Sequence, residues 1–480
     1  MEDKMKLMVP CNWDLELLEK TKDMSIYDFY GAMHTSPVGH GRPALIIPKV
    51  SEEKAAKFIE KAHEYGSTFS YVLNAPNMGN LEFDPKYHRK ILDYLGWLVD
   101  IGVDFVHIAN PYLMEIVIEQ FPELEVGVSV VVGVDSVEMA QRFEKMGADG
   151  INLSLEINRD FKALKAIRNA VDIPLVIIPN LADLRRCHYR NYHYSILGYN
   201  SQTTSMEKAW RYWALQPCKM QCNEKKLSDP VEIMKSCFIR PEDIKYYDDI
   251  GIDIYKLSGR HQNTEWIVRV IEAYQNRQSP SNLADIIDSI VLSNKTTEEF
   301  HSDFILQSDD EIKAVPEFYS WSAINTDQSK MINIDSKALD GFMDFFMEEG
   351  CDASKNCDEC GYCADWVDDV ITIDDEMANI YLNAINKHRK ALKTSKFAKI
   401  QEKVEWDPRV KQMFSKFTQN FPSDIRELSK AAIKAQTEEN ARKRNSDTIN
   451  QADLIQAFRQ RVPPQFKPFM EKAFEQMGIN

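Results

Sequence analysis

The feature that most constrains the fold is a glycine that recurs ahead of short apolar runs. Gly66, Gly102, Gly147 and Gly251 each follow an amphipathic stretch, and an apolar or β-branched run begins a few residues later. A glycine at this place is typical of the left-handed residue that ends a helix. The first three lie 36 and 45 residues apart, which is the length of one strand–helix unit in a parallel α/β fold. The pattern predicts repeated strand–helix units.

The predicted strands are short, mostly apolar throughout and bounded by turn residues, as buried parallel strands are. They are Lys6–Pro10, Phe69–Leu73, Phe105–Ile108, Val126–Val132, Ile151–Leu155, Leu175–Ile178 and Ile254–Leu257. Residues Ser51–Tyr65, with Ser51 as the N-cap, and Val137–Met146 are predicted helices between them. Since no G-x-G-x-x-G turn follows the first strand, we favour a (β/α) TIM-like barrel over a doubly wound sheet.

The chain divides by pattern into three regions. Residues 1–290 are predicted to form the α/β barrel, in which residues 181–250 are an insertion, because about 70 residues are too many for a simple connection. Residues 291–395 form a Cys-rich extension, and residues 396–480 form a small all-α domain. In that last domain Ser423 is expected to cap one helix, and Thr448 with Gln451 to form the capping box of the next.

Composition excludes several classes of function. A formal charge of −16 argues against a general nucleic-acid binder, which needs a basic face, although a local exception is not excluded. The longest apolar stretch, Val126–Val134, is far shorter than the roughly 18 residues of a membrane helix. The first residues, MEDKMKLMVP, lack the apolar segment of a secretory signal. We therefore expect a cytoplasmic protein that has no contact with membranes.

Eight of the nine cysteines fall into two groups, as metal-ligating thiols of a reducing compartment do. The first group lies in the insertion, where Cys218 and Cys222 are one helical turn apart and Cys187 and Cys237 flank them. Four thiolates beside a barrel mouth suit a [4Fe–4S] cluster or a zinc ion, and the spacing does not decide between the two. Cys237 or Cys187 could also be a small buried hydrophobe.

The second group lies in the extension. Its members are Cys351, Cys357, Cys360 and Cys363, and two consecutive two-residue gaps separate the last three. This spacing resembles the start of the bacterial ferredoxin run, so we favour a [4Fe–4S] cluster over zinc. The chain could carry one cluster or two.

Polar residues follow several predicted strands, where a barrel places its site. Lys256 and Arg260 follow the last strand and, with Arg240, offer positive charge for an anionic small molecule, because guanidinium groups match carboxylates. Asn110 is a further candidate for binding the substrate. His193 and Glu156 are candidates for moving protons.

Several segments, in order along the chain, carry a family resemblance. They are Asn110-Pro-Tyr-Leu113, Glu156-Ile-Asn-Arg159, Cys187-His-Tyr-Arg190 with His193-Tyr194, Arg240-Pro-Glu-Asp243, Lys256-Leu-Ser-Gly-Arg260, Glu265-Trp266, Ala273-Tyr274 and Leu339-Asp-Gly-Phe342. Together they resemble the collagenase-like peptidase family U32 over roughly residues 6–395. Residues 396–480 resemble, more weakly, the small helical domain at the end of a light-independent protochlorophyllide reductase subunit, at Trp406, Phe421-Pro422, Arg426 and Thr448-Ile449.

The U32 resemblance implies a (β/α) barrel that holds a [4Fe–4S] cluster on four cysteines. It also implies kinship with proteins of oxygen-independent hydroxylation in ubiquinone synthesis and in RNA modification, some of which take the oxygen atom from prephenate. This sequence lacks the pair of cysteines that follows a His-Gly-x-Met turn in the better-known branch, and only Cys187 stands there. The fourth ligand is then Cys237 or Cys11.

Three functions compete at this point. The first is an anaerobic iron–sulfur oxidoreductase that carries out hydroxylation or a related transfer on an anionic substrate. The second is the family's named activity, proteolysis. The sequence contains neither an H-E-x-x-H nor a G-x-S-x-G motif, and the unclustered Cys11 is its only candidate nucleophile. The third is a non-catalytic protein of electron transfer or maturation that docks on a protein partner.

Overall fold

The computed structural model describes residues 5–42, 44–206, 217–290, 328–348, 350–351, 356–393, 404–419, 421, 426–461, 470–472 and 474. The chain forms two compact units. One lies within Met1–Lys295 and Thr326–Ala378, and the other within Thr296–Asn325 and Asn379–Asn480. The described cysteines of the extension therefore belong to the same unit as the barrel.

The first unit is built on a closed barrel of eight parallel strands in the described residues. The strands are β1 Lys6–Pro10, β2 Asp28–Gly31, β3 Thr68–Leu73, β4 Phe105–Ile108, β5 Glu125–Val128, β6 Gly150–Asn152, β7 Leu175–Ile177 and β8 Ile254–Lys256. Strand β8 closes the barrel on β1, with Lys256 opposite Met8. The predicted (β/α) TIM-like barrel is confirmed.

Helices connect the strands and cover the barrel. They are α1 Leu15–Thr21, α2 Glu52–Glu64, α3 Pro85–Asp100, α4 Pro111–Gln120, α5 Val137–Met146, α6 Phe161–Arg168, α7 Arg190–Asn200, α8 Thr203–Met206, α9 Pro217–Ser228, α10 Val231–Lys235, α11 Lys245–Asp248 and α12 Thr264–Gln275. Helix α2 begins as predicted, since Ser51 Oγ accepts a hydrogen bond from Lys54 N at 3.3 Å. Helix α5 ends at Gly147, whose φ of 104° is the left-handed conformation expected there.

Three strands differ from the prediction. The predicted strand Ile151–Leu155 is β6, Gly150–Asn152, because Ser154 caps a short 3₁₀ helix, Leu155–Ile157. Strand β2 was not predicted, because Asp-Phe-Tyr-Gly is short and contains no β-branched residue. The predicted strand Val126–Val132 ends at Val128, since Ser129 Oγ accepts a hydrogen bond from Val131 N at 3.3 Å and starts a short 3₁₀ helix, Val130–Val132. A local side-chain cap thus competes with strand propensity.

The extension adds short elements to the barrel unit. They are α13 Gln328–Met331, β9 Ile332–Ile334, α14 Asp344–Glu348, α15 Cys357–Cys360, α16 Tyr362–Val370, β10 Ile371–Ile373 and the first residues of α17 Asp375–Lys393. Strands β9 and β10 pair antiparallel. Asn282 fastens them to the end of the barrel segment, because its Nδ2 donates to Ile332 O at 3.1 Å and its Oδ1 accepts from Ile334 N at 2.9 Å.

The second unit contains β11 Glu405–Trp406, α18 Pro408–Thr418, α19 Arg426–Lys443, β12 Thr448–Ile449 and α20 Gln451–Arg461. Its core includes Val410, Ile433 and Phe458. The described residues of this unit are helical apart from the parallel pair β11 and β12 and the turns between the elements. Asn450 and Asp453 cap α20 reciprocally, at 3.1 and 2.9 Å. The capping box predicted at Thr448 and Gln451 is wrong by two residues, because Thr448 lies in β12. Ser423, the other predicted cap, lies outside the described residues.

In the described part of the chain, none of the helices has the length and apolar character needed to cross a bilayer.

Candidate functional site

Two of the three predicted cations come together at the carboxyl end of β8. Lys256 Nζ lies 4.1 Å from the centroid of the Tyr30 ring, and the guanidinium carbon of Arg260 lies 5.8 Å from the same centroid. Both side chains are buried, with residue exposures of 7% each. Arg260 Nη1 has no hydrogen-bond partner among the described residues. A buried guanidinium with an unused hydrogen-bond donor is suited to bind an anion from outside the chain.

A carboxyl group lies below this pair, inside the barrel. Burial lowers the pKa of Lys256 to about 7, against the influence of Asp28, which raises it. Burial likewise raises the pKa of Asp28 to about 8, while the neighbouring Ser70 and Thr68 and the charge of Lys256 lower it. Thr68 Oγ1 donates to Asp28 Oδ1 at 2.9 Å. The pKa values of both groups therefore lie close to neutral pH.

His107 projects into the barrel from β4, where Gly127 of the neighbouring strand leaves room for it. A Cβ atom on Gly127 would lie 2.5 Å from His107 Nδ1. The same ring nitrogen is 3.2 Å from Asn152 Nδ2. Burial lowers the pKa of His107 well below its ordinary value, and Lys256 and Arg260 lower it further. His107 and Asn152 also line a cavity of ≈ 70 Å³ that reaches the amino-terminal ends of the strands at Glu125 and Asp149.

Sequence reasoning missed a second group at the barrel mouth, formed by Arg42, Ser258, His261 and Asp288. Arg42 Nη2 donates to Ser258 Oγ at 2.9 Å and to Asp288 Oδ2 at 3.1 Å, and Ser258 Oγ donates to Asp288 Oδ2 at 2.6 Å. His261 Nε2 lies 3.6 Å from Asp288 Oδ1. Burial alone raises the pKa of Asp288, but His261 and Arg42 bring it below its ordinary value. The sequence did contain one signal for this group, the single acid Asp288 within the otherwise largely apolar run Ile286-Ile287-Asp288-Ser289-Ile290.

The third predicted cation, Arg240, is not part of this site. Its Nε and Nη2 donate to the two carboxylate oxygens of Asp243 at 2.8 and 3.0 Å. Its Nη1 donates to Ser336 O at 2.7 Å and to Asp340 Oδ1 at 2.9 Å. Arg240 thus joins the barrel to the extension, and its donors are used within the chain.

Asn110, predicted to bind substrate, caps the helix that follows β4. Its Oδ1 accepts hydrogen bonds from Tyr112 N at 3.0 Å and Leu113 N at 3.3 Å. A side chain in this role starts α4 without needing a ligand. The structure gives Asn110 a local function in the fold.

The two predicted proton carriers lie around Arg190. Arg190 Nη2 contacts Glu156 Oε1 at 2.6 Å, and Arg186 N donates to the same oxygen at 2.8 Å. Glu156 Oε2 is buried and has no hydrogen-bond partner among the described residues. Burial lowers the pKa of His193 to about 4, although Asp183 raises it. His193 is therefore neutral at pH 7.

Three thiols of the first predicted group share one small cavity. Cys187, Cys218 and Cys222 line a space of ≈ 40 Å³ in the insertion, together with Arg185 and Glu232. Burial raises the pKa of Cys218 to about 11, and the neighbouring Cys187 and Cys222 raise it too. Among the described residues, no three Cys, His, Asp or Glu side chains form a group that could hold a metal ion.

The two candidates for a fourth thiol lie elsewhere. Cys237 is buried, and Arg185 Nη1 is 3.7 Å from its sulfur. Cys11 is buried at the end of β1, where its sulfur accepts a hydrogen bond from Trp13 N at 3.3 Å. Burial raises the pKa of Cys11, against hydrogen bonding from Trp13 and the charge of Arg260. Neither thiol lines the cavity of the other three.

A closed parallel barrel with a cationic mouth and a thiol-lined insertion is the class of protein that these observations define. The profile of the family described as Peptidase family U32 matches residues 48–304. The match covers more than half of the chain, so the chain belongs to peptidase family U32.

The chain is also similar to several named proteins. The chain is 29% identical over 341 residues to the uncharacterized protease MJ1657 of Methanocaldococcus jannaschii, a match that covers 70% of this chain and 86% of that protein. The solved U32 peptidase Mk0906 is 19% identical, covers 53% of this chain and 93% of its own, and superposes with a TM-score of 0.40. FabK of Thermotoga maritima is 14% identical, covers 41% of this chain and 56% of its own, and has a TM-score of 0.24.

Proposed function

We propose that this chain is an iron–sulfur redox enzyme of the U32 family that acts on an anionic small molecule at the carboxyl end of the barrel. The observation that carries the anion site is Arg260, a buried guanidinium whose Nη1 has no partner among the described residues. Retaining an unpaired buried cation is costly unless a ligand supplies the missing anion. The reaction class we favour is oxygen-independent hydroxylation or a related transfer.

The cationic pair suits a carboxylate. Arg260 can donate two parallel hydrogen bonds to one carboxylate group, and Lys256, over the same Tyr30 ring, adds a point charge. Arg42 is fixed by Asp288 and Ser258 at the same rim and extends the positive surface without being free to move. These residues bind and orient the substrate.

The thiol-lined cavity fits an iron–sulfur cluster in its donor chemistry, because three cysteines share it. Cys187, Cys218 and Cys222 would hold the cluster, which supplies one-electron transfer when bound. Zinc is the alternative at the same thiols. The fourth ligand stays open between Cys237 and Cys11, which the sequence proposed.

Proton transfer would fall to groups near Arg190. His193 is neutral at pH 7 because burial lowers its pKa to about 4, so its ring would hold a proton only transiently, as a relay. Glu156, oriented by Arg190 at 2.6 Å, offers its second oxygen as a hydrogen-bond acceptor. Both residues are assigned to moving protons and not to binding the anion.

Anaerobic purification tests the proposal most directly. We expect a coloured protein with iron and acid-labile sulfide, and loss of about four irons per chain in Cys218→Ser. Arg260→Met should keep its iron but lose binding to a panel of aliphatic and aromatic carboxylates, measured by calorimetry. Colourless wild-type protein without iron would overturn the cluster, and unchanged carboxylate binding in Arg260→Met would overturn the anion site. Iron without any carboxylate binding would instead support the non-catalytic electron-transfer or maturation protein.

Proteolysis is the second candidate, favoured by the names of the family and of its relatives. Cys11 is the one cysteine of the sequence outside both groups, and burial raises the pKa of its thiol, which disfavours the nucleophilic thiolate. A peptide panel assayed with wild-type protein and Cys11→Ala decides this. Cleavage that depends on Cys11 would support a thiol protease; equal cleavage by both proteins would exclude that mechanism.

A further inference from the structure

A cavity inside the barrel opens at the face opposite to the anion site. It measures ≈ 70 Å³. The exposed residues Glu125 and Asp149 line its outer end, at the amino-terminal ends of the strands. His107 and Asn152, which are 4% and 1% exposed, line it deeper in the barrel. Since about 10–15 Å³ is enough for one water molecule, the cavity has room for several.

The hydrogen bonds of Asn152 define which atoms the cavity presents. Asn152 Nδ2 donates to Val128 O at 2.8 Å and lies 3.2 Å from His107 Nδ1. Because an amide nitrogen only donates, His107 Nδ1 accepts, and a neutral ring then carries its proton on Nε2. Burial lowers the pKa of His107 well below its ordinary value, so the ring is neutral at pH 7. His107 therefore offers a donor at Nε2, and Asn152 offers an acceptor at Oδ1.

Both of these atoms lack a partner within the described part of the chain. His107 Nε2 and Asn152 Oδ1 are buried, and neither forms a hydrogen bond with any described residue. A buried donor or acceptor left unpaired is destabilising. A small molecule that both donates and accepts satisfies the two atoms together, and water is the molecule of that kind that fits this volume.

The cavity reaches the level of the Asp28 carboxyl group. Met8 lines the cavity, and its register partners on the two neighbouring strands are Asp28 on β2 and Lys256 on β8. Tyr27, the residue before Asp28, lines the cavity as well. Asp28 and Ser70 are fully buried, and Asp28 Oδ2 and Ser70 Oγ have no hydrogen-bond partner among the described residues. Further unpaired polar atoms thus lie at this height in the barrel.

We propose that water molecules fill this cavity and form a proton path from the amino-terminal face of the barrel to Asp28. Glu125 and Asp149 exchange protons with solvent at its outer end, and the pair of His107 and Asn152 holds the water within. Each transfer moves a proton along a hydrogen bond and moves no electron. The path supplies the mouth with protons from the face opposite the substrate. That use of the path rests on the proposed function, whereas the water-filled cavity does not.

The ring proton of His107 tests the water site in the wild-type chain. With ¹⁵N-labelled histidine, the His107 N–H is identified by its nuclear Overhauser contact with the Asn152 amide. We expect the nitrogen chemical shifts to show the Nε2–H tautomer. We also expect exchange within seconds of transfer into D₂O, although the ring is buried. An Nδ1–H tautomer, or a ring proton that persists for hours, would overturn the water-filled cavity.

A side chain at the outer end of the cavity tests the path to Asp28. Gly150 lines the cavity, and a Cβ on it would meet no atom nearer than Pro174 O at 3.5 Å, so Gly150→Val can be accommodated. Because the pKa of Asp28 is about 8, its carboxyl group is protonated at pH 6.5. Its deuteration is followed by the infrared C=O band that Asp28→Asn removes. We expect Gly150→Val to slow this deuteration by roughly tenfold or more.

Gly96→Val in α3 is the matched control, because no atom lies within 4 Å of its added Cβ and the helix lies outside the barrel. It should exchange at the wild-type rate. Equal rates in wild type, Gly150→Val and Gly96→Val would show that protons reach Asp28 by another route and would overturn the path. If Gly150→Val does not fold, Gly150→Ala gives the same comparison with a smaller expected effect. Both experiments use neither iron nor a carboxylate ligand, so their failure is distinguishable from failure of the proposed function.

Discussion

Two buried arginines allow a comparison of two regions of the barrel unit. Arg240 lies at the junction with the extension, and Arg260 lies at the barrel mouth. Both are almost fully buried, at 6% and 7% exposure. Arg240 forms a buried ion pair with Asp243 and reaches Asp340, whereas Arg260 Nη1 has no partner in the described part of the chain. Burial alone therefore does not indicate the role of a cation. Its partners do, and four changes test this contrast.

The largest expected effect is at the junction. Arg240→Ala leaves the Asp243 carboxylate buried and unpaired, so we expect the free energy of unfolding to fall by about 3–5 kcal/mol. Urea denaturation followed by tryptophan fluorescence measures it. Arg142→Ala is the control, because its pair with Glu138 is exposed and should add nothing measurable. An Arg240→Ala protein as stable as wild type would remove the contrast.

Arg260→Met should show the reverse behaviour. Losing a charge-assisted pair with a carboxylate ligand corresponds to about 1.5–3 kcal/mol, roughly a 10- to 150-fold weaker affinity. The free energy of unfolding should stay the same or rise, since an unpaired buried cation is removed. Calorimetric titration with the carboxylate panel and a parallel urea series measure both quantities. A large loss of stability without loss of affinity would assign Arg260 to the fold.

Gly127→Ala tests whether stability and carboxylate binding depend on the observed position of His107 inside the barrel. The new methyl group would meet His107 Nδ1 at 2.5 Å, so we expect a loss of about 1–3 kcal/mol in the free energy of unfolding and weaker carboxylate binding. Gly96→Ala in α3 is the control, because no atom lies within 4 Å of its added Cβ. An unperturbed Gly127→Ala protein would show that His107 can move without cost.

The smallest expected effect is a pH dependence of binding. Burial sets the pKa of Lys256 at about 7 and that of Asp28 at about 8, so the interior loses positive charge as the pH rises through these values. Affinity for a carboxylate should fall by up to about tenfold from pH 6.5 to pH 8.5. Arg260, Tyr30 and His107 also face Lys256. Lys256→Gln should flatten the profile, and a profile unchanged by it would exclude Lys256 as the titrating group.

Much of the barrel could be predicted from local patterns. Gly66, Gly102, Gly147 and Gly251 all have the positive φ of helix ends, and the predicted helix Val137–Met146 has the bounds that the structure gives it. These features depend on residues close in sequence, so a single chain reveals them. Strand β2 was not predictable in this way, because its pairing with β1 and β3 supplies what its composition lacks.

The candidate site was predictable only in part. Lys256 and Arg260 lie at a strand end, where barrel topology places functional residues, so position along the chain was enough. Arg42 and Asp288 are 246 residues apart and carry no shared motif, so their hydrogen bond of 3.1 Å could not be foreseen. The sequence did not reveal that Asn110 caps α4, although this contact joins residues close in the chain.

The sequence by itself determined the repeated strand–helix units, the thiol-bearing insertion and the family, because these are recorded in spacing and short motifs. Only the tertiary structure decided that Arg240 has its partners within the chain, that Arg260 Nη1 has none among the described residues, and that Arg42 meets Asp288 at the barrel mouth. Spacing predicts neighbours within one turn or loop, whereas the ion pairs of Arg240 with Asp340 and of Arg42 with Asp288 depend on packing between segments far apart in the chain. Burial then sets the energy of each contact, since an unpaired charge away from water must find its counter-charge in the fold or in a ligand.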